Sequence, residues 1–327
     1  MERVLKDKKV LVTGGAGFIG SNLVESLLQS GNYVACLDNF STGRKSNISE
    51  FASHPSFRLI EGDIRNYDDC LKAVKDIDIV FHEAALGSVP RSIKDPVTAT
   101  DVNIGGFVKM LFASKESGVK RFVYAASSST YGDSQELPKV EERIGKPLSP
   151  YAITKYVNEL FAENFSKLYG IEVIGLRYFN VFGRRQDPEG PYAAVIPKFV
   201  KLLKDHKSPV INGDGTYSRD FTYIDNVIQA NHLAAVVEDP SAVNQVYNVA
   251  QGERTTLNQL FDYIVNTANK FDGEMLNIRP EYGPERAGDI PHSLASVEKA
   301  RALLGYVPTH NVFQGLEEAV GWYWNNL

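Results

Sequence analysis

The chain has 327 residues, 43% hydrophobic and 23% charged, the balance of an ordinary soluble globular protein with room for one large two-lobed domain or two domains. Its net charge of −5 argues against broad binding to nucleic acid or anionic membranes. Two cysteines, Cys36 and Cys70, are too few for a disulfide framework and read as small core residues in a reducing compartment.

The N-terminal residues run straight into an apolar strand with no leader-like segment. No uncharged run of about 18 residues follows anywhere, so no membrane span is expected and the protein reads as cytoplasmic. Val10 to Thr13 reads as a strand, then glycines, then Leu23, Val24, Leu27 and Leu28 at helical spacing. Tyr33 to Leu37 is the next strand and ends in Asp38. Phe57 to Ile60 and Ile77 to Phe81 are further strands, with a helix at about 67 to 75 between them. A helix at about 98 to 117, a strand from Arg121 to Ala125, a helix at about 150 to 169 and a strand from Val173 to Arg177 complete this half. Strands alternating with helices predict an α/β fold with a doubly wound parallel sheet.

Beyond residue 181 the alternation loosens. Residues 184–191 read as loop and 212–215 as a turn, while a helix at about 225 to 237 and a strand from Gln245 to Val249 look like a return to the first domain. Residues 252–327 read as mostly short helices around the polar loop from Gly283 to Asp289. The expected division is a dinucleotide-binding domain over 1–181, rejoined by 216–250, and a smaller mixed lobe from 182–215 and 251–327.

Gly14, Gly17 and Gly20 follow a strand and open a helix, the context in which backbone amides meet a pyrophosphate at close range. Asp38 stands where a carboxylate accepts bonds from the adenosine ribose and repels a 2′-phosphate, which favours NAD over NADP. Arg44 and Lys45 lie near enough to soften that preference, or belong to a solvated loop. Asp63 and Ile64 either flank the adenine or, for Asp63, cap a helix. His82 reads as a satisfied structural histidine. The other histidines, at 54, 206, 232, 292 and 310, show no ligand spacing, so no metal site is expected.

Tyr151 and Lys155 stand one helical turn apart, so both side chains lie on one helix face. There an ammonium favours phenolate and lowers the tyrosine pKa. The run Ser127-Ser-Ser-Thr-Tyr-Gly132 ends a strand at the edge where open α/β sheets bind ligands, and it reads either as a polar loop or as the source of a hydroxyl for a substrate oxygen. The apolar stripe Ile153, Tyr156, Val157, Leu160, Phe161, Phe165 and Leu168 is broad for one sheet contact, so part of it is expected to meet the same helix of a second subunit.

With these motifs, the chain resembles the extended short-chain dehydrogenases/reductases along almost its whole length, and within them the UDP-sugar 4-epimerases, especially those acting on N-acetylglucosamine. The resemblance rests on His82-Glu-Ala-Ala-Leu-Gly-Ser-Val-Pro-Arg-Ser92, Ala126-Ser-Ser-Ser-Thr-Tyr-Gly132, Ser149-Pro-Tyr-Ala-Ile-Thr-Lys155, Arg177-Tyr-Phe-Asn-Val-Phe-Gly-Arg-Arg-Gln-Asp-Pro188 and Asn212-Gly-Asp-Gly215. It implies a homodimer with tightly bound NAD and a UDP-sugar substrate, with Tyr151 as base, Ser127 sharing the proton of the sugar 4-hydroxyl, and Lys155 on the nicotinamide ribose. The implied cofactor contacts are Gly14, Gly17, Phe18, Ile19, Asp38, Asn39, Ser41, Thr42, Gly43, Asp63, Ile64, Ala84, Ala85, Asn103 and Phe179, with Tyr151 and Lys155.

For the substrate, the resemblance places Asn180, Arg219 and Arg286 on the diphosphate, Asp289 on the uridine ribose, and Ile211 and Asn212 near the uracil. Gly87, Ser88, Ser128, Ser129, Gln186, Ala194, Val195 and Ser293 would line the sugar side. Ser293 falls where relatives restricted to non-acetylated sugars resemble one another in carrying a tyrosine; its other reading is a cap for a helix starting near Ser296. Relatives that dehydrate or decarboxylate nucleotide sugars carry acids where this chain has Ser128-Ser-Thr130. Reversible oxidation at C4 is therefore the chemistry the resemblance supports. A dehydrogenase that releases an oxidised product is the alternative.

Overall fold

The computed structural model describes residues 3–189, 194–285 and 290–327. Six strands come from the first half: β1 (Lys9–Thr13), β2 (Tyr33–Asp38), β3 (Phe57–Glu61), β4 (Ile79–His82), β5 (Arg121–Ser127) and β6 (Glu172–Tyr178). A seventh, β7 (Gln245–Val249), returns from the second half to pair with β6. All seven form one parallel sheet in the order β7-β6-β5-β4-β1-β2-β3. The continuous apolar runs that mark these strands are what a sheet covered on both faces requires. Val10, Leu11 and Val12 of the central β1 are wholly buried, whereas the edge strand β3 exposes Leu59.

On one face pack α1 (Phe18–Gln29) and α8 (Ile224–Val236); on the other lie α2 (Tyr67–Ala73), α5 (Phe107–Glu116) and α6 (Pro150–Tyr169). Two separate apolar clusters fill the two interfaces, one containing Leu23, Leu27 and Val227, the other Cys70, Met110 and Phe165. The expected doubly wound architecture is thus present. No helix among the described residues is long and apolar enough to cross a membrane.

The helix expected at 98 to 117 is longer and not uniform. It comprises α4 (Pro96–Thr100), a π-helical stretch at Asp101–Gly106 and then α5. The stretch ends in Gly105-Gly106, and a Cβ on Gly106 would stand 2.5 Å from the Ile64 side chain, so close packing on the β3 end excludes larger residues there. Two helices went unread in the sequence, α3 (Val89–Lys94) and α7 (Val195–Lys204). In the C-terminal region α9 (Leu257–Ala268) and α11 (Val312–Asn326) are full-length amphipathic helices rather than short ones. Both carry capping boxes, Thr256 with Gln259 and Asn311 with Gln314. α10 (Glu298–Leu304) is short, and α11 packs on α7 and α9.

Two buried polar hubs fix the parts against one another. Arg177 of β6 donates from Nε and Nη2 to Glu159 of α6 at 2.9 and 2.7 Å, and from Nη1 to the Glu141 carbonyl. This pair ties α6 to the sheet with both charges matched. Asp220 accepts backbone N–H bonds from Gln251, Gly252 and Ala295, and burial raises its carboxyl to about pKa 7 against those bonds. It joins the segment carrying Arg219 to the one carrying Ser293.

Candidate active site

A cleft of about 630 Å³ opens along the carboxyl edge of the sheet, between the ends of β1, β2, β4, β5 and β6. Its floor begins at the turn between β1 and α1. Gly14 adopts φ +66° and lies so near Ala84 that a Cβ would stand 2.8 Å from that backbone. A Cβ on Gly20 would come within 2.2 Å of the Gly14 carbonyl oxygen. The helix therefore starts directly on the turn, with Gly17 at its N-cap and no side chain bonding its free amides.

At one end of the cleft Asp38 accepts from the amides of Ala16 and Phe40 at 2.9 and 2.8 Å. Burial raises its carboxyl pKa, opposed by those amides. Asn39 donates to Asp63 at 2.8 Å, clasping the ends of β2 and β3. Asp63 is held down to about pKa 2 by its bonds to Arg65; the cap of α2 is Asn66, so helix capping is not the role of Asp63. Arg44, half exposed in its loop, pairs with Asp187 at 2.6 Å.

At the other end, Ser149 caps α6, Pro150 takes its first turn, and the Tyr151 amide donates to Ser92 at 3.0 Å. The Tyr151 phenol and Ser127 line the same end of the cleft, and Ser127 Oγ accepts from the Ser129 hydroxyl at 2.9 Å. Lys155, 3% exposed, donates to the Ala125 carbonyl at 2.8 Å, with Nζ 6.0 Å from the Tyr151 ring centroid. The expected lowering of the phenol by the ammonium is not the dominant effect. Burial comes first and raises the Tyr151 pKa; the Ser127 hydroxyl lowers it, and Glu83 raises it further. Burial also brings Lys155 down to about 8, opposed by Glu83 and Glu159.

The structure gathers Gly14, Gly17, Phe18, Ile19, Asp38, Asn39, Ser41, Thr42, Gly43, Asp63, Ile64, Ala84, Ala85, Tyr151 and Lys155 around this one cleft, together with Gly87, Ser127, Asn180, Gln186 and Ala194. Other candidates stand behind its walls. Asn103, in the π-helical stretch, bonds the Leu86 amide and Thr154 and so braces the β4 loop against α6. Phe179 is fully buried against Tyr131. Ser88 caps α3, while Gln186, in the lining itself, is held by Val181 and Tyr323. Ser128, Ser129, Val195, Ile211, Asn212, Arg219 and Ser293 lie outside the cleft lining, while Arg286 and Asp289 fall outside the described residues. Ser293 donates its amide to the Ser218 carbonyl and caps nothing, since α10 starts at Glu298.

Sequence reasoning missed Glu83 and Tyr178, which line the cleft in contact with each other; an acid directly after a buried strand was the available signal. His82 bonds Thr13, and burial takes its pKa down to about 3, consistent with a structural imidazole. Asp225, His310 and Glu318 do gather their ligand atoms within 4.8 Å, but Asp225 is engaged by Arg184 at 2.8 Å.

The NAD dependent epimerase/dehydratase family model matches residues 10–250, which include the glycine turn, the serine run and the Tyr151/Lys155 pair. The chain belongs to that family. A putative UDP-glucose 4-epimerase of Methanocaldococcus jannaschii is 37% identical over 319 residues, covering 97% of this chain and 99% of the relative. Among solved structures, a UDP-N-acetylglucosamine 4-epimerase from Methanobrevibacter ruminantium in complex with UDP-N-acetylmuramic acid superposes with a TM-score of 0.92 at 40% identity, over 99% of this chain and 100% of that one. A Thermus thermophilus UDP-glucose 4-epimerase complex with NAD gives a TM-score of 0.85 at 32% identity, over 98% and 100%.

The cofactor of this family member is NAD, and the cleft fits it: a close-packed glycine turn, a helix start with no side-chain bond from its N-cap, and a carboxylate at the end of β2. Asp38→Ala is expected to weaken NAD retention by about tenfold to a hundredfold, the worth of charge-assisted bonds at roughly 1.5–3 kcal/mol. It should weaken NADP binding less, because a repulsion is removed as well. Equilibrium binding of both dinucleotides checks this; an unchanged preference would dissociate Asp38 from the ribose.

Proposed function

We propose that this chain is a UDP-sugar 4-epimerase that interconverts UDP-N-acetylglucosamine and UDP-N-acetylgalactosamine. The observation that carries the reading is the gathering of Ser127, Tyr151 and the buried Lys155 at the inner end of the dinucleotide cleft. Bound NAD supplies a hydride acceptor that returns the hydride at the end of each cycle. Tyr151, as phenolate, takes the proton of the sugar 4-hydroxyl while Ser127 shares it. The 4-keto sugar turns over between the cleft walls, tethered through UDP, and Tyr151 then returns the proton on the other face. No acid occurs between Ser127 and Tyr131 to protonate a leaving hydroxyl, which supports epimerisation over dehydration.

The N-acetylated substrate is supported by Gly87 and Ala194 in the cleft wall, by the name of the 40% identical structure, and by the sequence resemblance at Ser293, which itself lies outside the cleft lining. A second reading, UDP-glucose and UDP-galactose, is favoured by the names of several relatives, including that of Mycolicibacterium smegmatis at 34% identity. The diphosphate and uridine fall to Asn180, Arg219, Arg286 and Asp289 in this reading, and the segments 182–215 and 251–327 form the UDP-sugar lobe.

A second copy of the chain is proposed to cover α6. Ile153, Leu160 and Leu168 repeat along its outer face at 49%, 47% and 65% exposure, with Phe112 of α5 beside them. A row of large apolar groups on one face calls for a partner helix. Sedimentation at micromolar concentration should give a dimer, and a monomer would refute it.

Incubation of the protein with each UDP-sugar, without added cofactor, is expected to produce the C4 epimer and no net reduced cofactor. Net reduction would favour a dehydrogenase. Tyr151→Phe should lower turnover by about 10²–10⁴-fold with UDP-sugar binding retained; activity within tenfold of the parent would remove Tyr151 from the mechanism.

Ser293→Tyr tests the sugar wall separately. It should lose conversion of UDP-N-acetylglucosamine by at least about tenfold, the effect of overfilling a fitted site by roughly 1–3 kcal/mol, and keep conversion of UDP-glucose. Equal losses on both sugars would make Ser293 structural.

A further inference from the structure

Glu83 stands immediately after β4, on the floor of the cleft, in a position that the proposed chemistry does not use. Its Oε1 accepts from the Tyr178 hydroxyl at 2.7 Å, and the Tyr178 oxygen in turn accepts from Asn231 Nδ2 at 2.9 Å. Asn231 is anchored on the Val227 carbonyl, so the chain of bonds runs from α8 through β6 into the cleft. The Glu83 amide is fixed as well, donating to the Thr13 carbonyl at 3.2 Å. A carboxylate oriented this firmly beside a ligand cleft is costly unless its charge is matched nearby.

The matching cation is Lys155. No direct salt bridge joins the two; the Lys155 ammonium instead rests on the Ala125 carbonyl, and the carboxylate acts on it through the intervening low-dielectric space. The groups facing Glu83 are Lys155 and Tyr151 from α6 and Tyr178 from β6. His82, alongside on β4, is held neutral by burial. Lys155 also faces Glu159, but Arg177 already engages that carboxylate at two oxygens. Glu83 is thus the acid whose charge is not spent on an arginine.

We propose that Glu83 is a positioning residue for the reaction: seated by Tyr178 and Asn231, its carboxylate keeps the Lys155 ammonium charged in a buried site and sets the charge balance in which Tyr151 exchanges its proton. The inference rests on the assignment of Tyr151 and Lys155 given above. It predicts a sign. A negative charge raises the pKa of every group near it, so its removal lowers both Tyr151 and Lys155. Burial brings Glu83 itself up to about 7, against the Tyr178 bond and the Lys155 charge, so the effect operates above that pH, where Tyr151 titrates.

The test uses the NAD-loaded protein and two readouts. Ultraviolet difference titration, with the matching Tyr151→Phe protein as blank, reports the Tyr151 phenolate without any sugar present. The pH–rate profile on the UDP-sugar reports both groups. In Glu83→Gln the phenolate midpoint and both limbs of the profile should move to lower pH. Glu83→Ala, which removes the same charge, should move the midpoint the same way, and it serves if Glu83→Gln does not fold. Reduced turnover with an unmoved midpoint and unmoved limbs would make Glu83 only a structural anchor of the loop, and a midpoint displaced to higher pH would overturn the proposed sign. Failure to epimerise any sugar, with the phenolate midpoint still displaced, would refute the functional reading and leave the coupling of Glu83 to Tyr151 standing.

Discussion

A lysine ammonium almost wholly removed from water is the constraint around which this molecule is arranged. Lys155 lies on the inward face of α6, 3% exposed, and an isolated charge there would be prohibitively costly. One carbonyl, from Ala125 at the end of β5, takes its proton donor. The rest of the compensation comes through space from Glu83 and Glu159, of which the second is shared with Arg177. Glu159 shares α6 with Lys155, whereas Ala125 ends β5, Glu83 sits in the loop after β4 and Arg177 belongs to β6. The sheet, α6 and the loop after β4 must therefore be assembled before the ammonium becomes tolerable, and the site and the core form as one unit.

The parallel sheet makes that assembly possible. Its strands all end on the same edge, so β1, β2, β4, β5 and β6 deliver the glycine turn, Asp38, Glu83, Ser127 and Tyr178 to one line without any of them being close in sequence. Close backbone approach then does the shaping: Gly14 against Ala84 and Gly20 against Gly14 leave no volume for side chains on the cleft floor. Asp220, accepting from three backbone amides, holds the Arg219 and Ser293 segments to the loop after β7.

Burial in this site works against the simplest reading of the Tyr151/Lys155 motif. One helical turn of separation puts both groups on one face, yet the same face is desolvated, and desolvation raises the phenol and lowers the ammonium together. Glu83 offsets the second effect and adds to the first. The hydroxyl of Ser127 is the neighbour that favours the phenolate directly.

Much of this was legible from the residues in order. Apolar runs of strand length between helical stripes determined the doubly wound sheet, because a parallel strand is buried on both faces and cannot show polar alternation. The glycine spacing, Asp38, the serine run and Tyr151/Lys155 are local patterns, and each is set by the backbone or helix geometry it needs. The helix α3 was not legible, being six residues long and held by packing against α6; α7 was passed over although Ile196, Phe199, Val200 and Leu203 stand at helical spacing and form its buried face. Asn103 and Phe179 show the same limit from the other side, since only the folded neighbours turn Asn103 onto Leu86 and Thr154 and bury Phe179 in the core. Sequence determined which groups the chain can bring to its chemistry. Tertiary structure alone decided their charge and company, because the field at Tyr151 and Lys155 comes from Glu83, Glu159 and Ser127, residues four to 72 positions away in the chain that only the sheet edge and α6 bring together.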